Sequence, residues 1–129
     1  MARNFENLRI WVEARAFVVE VYSLLKNNKD FGFRDQIQRA SVSIMNNIAE
    51  GSEYNSDASF VKFLNIAKGS CAEVRSMLYL LLDLGYCTKE EYEKLYNQLL
   101  SISSGIFKLV DYLEKNKIKS GWRLLTVDC

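Results

Sequence analysis

Gln36, Arg39, Ser43, Asn46, Asn47 and Glu50 recur at helical spacing, so on one α-helix they form a single narrow polar face. Guanidinium, hydroxyl, amide and carboxylate in such a row can build a hydrogen-bonded network or grip a polar ligand, and none of them stays buried without partners. Arg39 and Glu50 stand about 16 Å apart at helical rise, too far to pair with each other. Ser70 and Glu73 are the partners offered further along the chain. A polar seam of Gln36, Arg39, Ser43, Asn47, Glu50 and Glu73 is therefore expected, either fixing helix register and subunit geometry or lining a cleft. A second set is cationic. Lys68 and Arg75 lie two turns apart on one helix face with Tyr79, the cations suited to phosphate and the ring to a base. The competing reading is a solvated helix face. Lys115, Lys117, Lys119 and Arg123 form the densest cationic cluster, which Glu114 and Asp128 offset only in part.

Catalysis finds little in this chain. It has no histidine, which removes the commonest general base and a common metal ligand together. Gly51 and Gly69 are isolated, so no glycine-rich phosphate loop exists. The pairs Glu90/Glu91 and Glu53/Asp57 fall at helix starts, where capping and the helix dipole account for them. A hydrolase built on Glu50 and Glu73 with a divalent metal is the weakest reading. The expectation is a protein that is not an enzyme, with no cofactor and no metal.

The elements that must position these residues are helices. All 129 residues are free of proline and only six are glycine, which favours long uninterrupted helices. Ile10, Ala14, Phe17, Val21 and Leu24 keep a four-three spacing over a helix from about Asn7 to Asn27. A second stripe of Leu8, Trp11, Val18, Tyr22 and Leu25 exceeds what a small bundle must bury. Trp11, Val18, Tyr22 and Leu25 are thus expected at a subunit interface, or else at the rim of a wide core. After a polar turn over Lys26–Gly32, helix two should span Phe33 to Glu50, with Gly51 as its C-terminal cap. Ser56 caps a third helix from Asp57 to Leu84, in which Cys71 reads as a packed hydrophobe and Gly69 as a point of close helix approach. Thr88-Lys89-Glu90-Glu91 is a capping box. It opens a fourth helix with the repeat Tyr92, Leu95, Leu99, Ile102, Ile106, Leu109, Leu113. Short connections make successive helices antiparallel. The fold read from this pattern is all-α, an antiparallel up-down-up-down four-helix bundle over 1–117 with a short C-terminal tail over 118–129.

Three motifs carry a family likeness. Phe5-x-x-Leu8-x-x-Trp11 opens helix one. Gln36-x-x-Arg39-Ala40-x-x-Ser43-Ile44-x-x-Asn47-Ile48-Ala49-Glu50-Gly51 forms helix two, and Phe60, Phe63-Leu64, Ile66-Ala67, Gly69-Ser70 and Glu73 follow in helix three. The pattern, from about Phe5 to Leu113, resembles the four-helix-bundle proteins encoded in intervening sequences of bacterial 23S ribosomal RNA genes. More distantly it is similar to the accessory variability proteins of diversity-generating retroelements, which assist a reverse transcriptase. The resemblance implies a homopentamer and an association with structured RNA or an RNA-handling enzyme such as a reverse transcriptase. Ser52-Glu53-Tyr54 departs from it, since the family often carries a basic residue after the Glu-Gly pair.

Charge fits that reading only locally. Seventeen basic and sixteen acidic residues leave a net charge of +1, against strong non-specific nucleic-acid binding by the whole surface. The first residues lack a signal-peptide pattern, no run reaches a membrane span, and three unpatterned cysteines fit a reducing cytosol, so a cytoplasmic location and no membrane partner are expected. The function expected is a non-catalytic, homo-oligomeric RNA- or ribonucleoprotein-associated adaptor. The alternative is a protein-interaction scaffold that docks a reverse transcriptase or other enzyme without touching RNA.

Overall fold

The computed structural model describes the backbone of residues 4–119 and the side chains of residues 4–115. Among the described residues the secondary structure is a 3-10 turn (Phe5–Asn7) and four α-helices: α1 (Arg9–Leu24), α2 (Phe31–Ser52), α3 (Asp57–Asp83) and α4 (Lys89–Lys119). Each helix packs on its neighbours in sequence and α4 closes the ring on α1, while the diagonal pairs do not meet. This is the antiparallel up-down-up-down four-helix bundle that periodicity and short connections predict.

Local chemistry explains where the helices begin, and it corrects two of the expected starts. Leu8 takes an extended conformation and has no side chain able to cap, so α1 starts only at Arg9. Ahead of it, the Asn4 side chain accepts from the Glu6 amide to cap the 3-10 turn. Helix α2 begins two residues earlier than expected because Asp30 is its N-cap: Asp30 Oδ1 accepts from the Phe33 amide at 3.3 Å. Part of the polar turn read over Lys26–Gly32 is thus already helical. The capping box at α4 is present as read, with the Glu91 amide donating to Thr88 Oγ1 at 3.1 Å and the Thr88 amide to Glu91 Oε1 at 2.8 Å. The α4 backbone stays helical to Lys119, beyond Leu113, the last residue of its repeat.

The core is one cluster drawn from all four helices. Phe17 and Val21 of α1, Ile37, Ile44 and Ile48 of α2, Phe60, Leu64 and Leu78 of α3, and Leu99, Ile102 and Ile106 of α4 are essentially inaccessible to solvent. Truncating Phe17 or Phe60 to alanine would cost about 3–5 kcal/mol.

Two glycines have roles opposite to those read from sequence. Gly51 does not cap α2; it lies within the helix and is buried, and a Cβ there would stand 2.6 Å from Phe63 Cβ. Its lack of a side chain lets α2 and α3 approach. Gly69, read as a point of close approach, is exposed with nothing within 4 Å of where a Cβ would sit. The cap with a positive φ is Gly85, at 74°, which ends α3 as expected.

Candidate functional site

The sequence-derived residues fall on two surfaces on different sides of the bundle. The first wraps around the amino-terminal half of α2. On its α1 side, Val18, Val19, Tyr22, Leu25 and Val42 line a groove of about 780 Å³, with Lys26, Arg34 and Gln38 at its polar edge. Val19 is 62% exposed and Tyr22 46%, a large apolar presentation for one short stretch. On its α3 side, Asp35, Gln36, Arg39, Ser43, Ser70 and Glu73 line a polar cleft of about 530 Å³. A smaller hollow bounded by Tyr22, Asp35, Gln38, Arg39 and Val42 joins the two. The apolar stripe of α1 and the polar seam of α2 are therefore parts of one continuous surface.

Within the seam, Ser43 Oγ and Ser70 Oγ are 2.9 Å apart and bridge α2 to α3. Asn47 satisfies itself inside its own helix, its Nδ2 donating to the Ser43 carbonyl at 2.8 Å and to Ser43 Oγ at 3.0 Å. Arg39 and Glu73 line the same cleft from opposite helices, both exposed. Neither joins an ion pair among the described residues, where the pairs are Arg9–Glu13, Lys94–Glu20 and Lys115–Asp111. Glu50 is exposed and outside the cleft, so Glu50 and Glu73 do not face a common site. Gln36 is also exposed. Only the Ser43–Asn47 part of the seam is drawn inward; the rest opens to solvent.

The residues expected at a subunit interface separate in the same way. Val18 and Tyr22 line the groove. Leu25 forms its floor but is fully buried in the chain's own core, a correction with a simple cause: it stands one turn beyond Val21, on the core face of α1. Trp11 is half-buried against the core, edge-on to Phe5 at 5.0 Å between ring centroids, with the Arg15 guanidinium 5.7 Å from its ring. Val12 and Val19 present the outward apolar face that the sequence reading gave to Trp11 and Leu25.

The second surface runs along the outward side of α3 and α4. Lys68 and Arg75 are both exposed here, as their spacing predicts. Lys68 Nζ lies 5.4 Å from the centre of the Phe107 ring on α4, and Phe107 is 59% exposed. Four residues beyond Arg75, Tyr79 joins Tyr92 and Tyr96 in a three-ring cluster with centroid separations of 6.0, 6.1 and 5.7 Å. The Tyr96 hydroxyl is held above its ordinary pKa, chiefly by its hydrogen bond with Tyr79 and against the nearby charge of Arg75. Phe107 and Tyr96 were missed in the sequence; the Tyr92-x-x-x-Tyr96 spacing and an aromatic outside the α4 heptad were the available signals.

Of the C-terminal cations only Lys115 has a described side chain. Lys115 is exposed but paired with Asp111 at 3.0 Å. The side chains of Lys117 and Lys119, and the whole of Arg123, lie outside the described residues. Cys71 is buried, and burial pushes its thiol up to about 12 although Arg75 acts the other way, so it stays protonated at neutral pH. Among the described residues no three of Cys, Asp or Glu come together so as to hold a metal ion, and no helix is long and apolar enough to cross a membrane.

Residues 6–108 match the family model described as 23S rRNA-intervening sequence protein. The chain belongs to that family. A crystal structure of a protein of unknown function from the S23 ribosomal protein family of Bacteroides thetaiotaomicron is similar to this intervening-sequence protein. The two are 30% identical with a TM-score of 0.74, over 78% of this chain and 97% of that one. No curated protein matches the chain. The Gln36–Gly51 and Phe60–Glu73 motifs that carry the likeness lie inside the matched segment and build the α2–α3 pair, including the Gly51 contact and the Ser43–Ser70 bridge.

Proposed function

We propose that this intervening-sequence protein is a non-catalytic, self-associating adaptor that binds RNA. The observation that carries the RNA half is the α3–α4 strip, where two exposed cations alternate with exposed aromatic rings on a chain of almost no net charge. The family's description, which places it with 23S rRNA intervening sequences, supports RNA as the partner. Self-association is supported by the surface around α2, where an apolar groove runs into a polar cleft whose guanidinium and carboxylate, Arg39 and Glu73, join no ion pair among the described residues. The pentamer implied by the family likeness is the assembly proposed. The reading as a binding protein rests on the absence of histidine from the sequence and on the separation of Glu50 from the cleft of Glu73.

Filter binding of a structured RNA carrying both helices and loops, over a salt series, tests the RNA half. Wild-type protein should bind, and K68A/R75A should lose most of the affinity. Flat binding at all salt concentrations would overturn it in favour of a scaffold for an RNA-handling enzyme, docked through the apolar groove.

A further inference from the structure

The α3–α4 strip has a definite length and order. Lys68 and Tyr79 are about 16 Å apart along α3, with Arg75 between them. Phe107 stands beside Lys68 at one end and the tyrosine cluster occupies the other. Between Lys68 and Tyr79 the one carboxylate on α3 is Glu73, which faces the cleft against α2 instead. Tyr79 is 52% exposed, and its contacts with Tyr92 and Tyr96 hold the ring in place. The strip thus has an aromatic platform at each end, Phe107 with Lys68 over its ring and Tyr79 in its cluster, and Arg75 between them.

We propose that this strip binds about five unpaired nucleotides, stacking bases on Tyr79 and Phe107 while Lys68 and Arg75 meet the intervening phosphates. The inference rests on the RNA reading above and specifies the form of RNA. Two cations are too few to grip a duplex by its phosphates, and a duplex keeps its base faces stacked inside the helix, out of reach of a ring. An unpaired loop or end offers both faces and phosphate. The nucleotide count follows from the 16 Å span at about 3.4 Å per nucleotide of a stacked strand.

The test uses the full chain and a fluorescently labelled RNA strand, free and annealed to its complement. The free strand should bind about tenfold or more tighter than the duplex. Affinity should stop rising with length beyond about five or six nucleotides, and log Kd should change with log salt with a slope of only about 1.4, from two phosphates neutralised. Y79L/F107L should weaken strand binding about tenfold or more, whereas Y79F keeps the ring and should bind like wild type. Circular dichroism melts check that the leucine variant folds, which half-exposed positions tolerate. Equal binding of strand and duplex, or leucine variants that bind normally while K68A/R75A does not, would overturn base stacking and leave the broader RNA reading in place. No binding of either form would overturn both. If the leucine variant instead breaks the assembly apart in light scattering, the strip joins copies of the chain and the proposal falls.

Discussion

Asp30 does two jobs where α1 turns into α2. One carboxylate oxygen caps α2 through the Phe33 amide, and the other accepts from the Tyr86 hydroxyl at 2.6 Å, tying the α1–α2 turn to the α3–α4 turn. The Tyr86 ring also meets Phe33 edge-on at 5.5 Å. The Tyr86 bond, and after it the Phe33 amide, hold the Asp30 carboxyl below its ordinary range; the same bond, with burial and the carboxylate's charge, raises the Tyr86 phenol. The signs follow from linkage. Asp30 contributes stability above its unfolded pKa near 3.9, and that contribution is lost as pH falls through its lower folded value. Tyr86 contributes below about pH 10 and loses its share as pH rises through its raised folded value. D30N keeps a capping oxygen but not the charge, so its Tm should fall below wild type at neutral pH and the gap should narrow as pH falls below about 4. Thermal melts across that range check this; a gap of constant size would contradict it.

At the scale of elements, Gly51 and Gly69 make a paired test of helix packing. Alanine is ordinarily worth about 1 kcal/mol over glycine inside a helix. At Gly69 nothing opposes that gain, so G69A should stabilise the protein by about 0.5–1 kcal/mol. At Gly51 the new Cβ would meet Phe63 and Phe60, parts of the α2–α3 packing that cannot yield cheaply, so G51A should destabilise by about 1–3 kcal/mol. Urea melts read both; equal signs would mean that the α2–α3 contact is looser than described. These two residues also mark the limit of what the sequence discloses. Helix number, order and core stripes follow from periodicity, a local property, and Thr88 and Ser56 cap as their types predict. Spacing within each helix already sets Gly51 on the Ile44–Ile48 core stripe and Gly69 opposite the Ala67–Cys71 stripe; how closely Phe63 approaches Gly51 is set by the neighbouring helix and is not legible in it. The same holds for the site: Lys68, Arg75 and Tyr79 share a face by spacing alone, but their aromatic partners Phe107 and Tyr96 are set by the register of α4. Leu25, read with the outward stripe, stands one turn beyond Val21 and so shares the core face of α1.

For the whole molecule, the chain closes its own core and still leaves two surfaces unfinished. Val19 belongs to the groove between α1 and α2 but contributes little to the core, so a charge there should be nearly neutral for folding, within about 0.5 kcal/mol. In an assembly built on that groove the same charge would be buried without a partner. V19E should therefore stay folded and helical by circular dichroism while losing its oligomeric mass. The most direct test of the account is the mass of the full chain by light scattering, alone and with a structured RNA added. A mass of several chains that rises when RNA is added is the expected result. A species with the mass of one chain at micromolar concentration, unchanged by RNA, would contradict it.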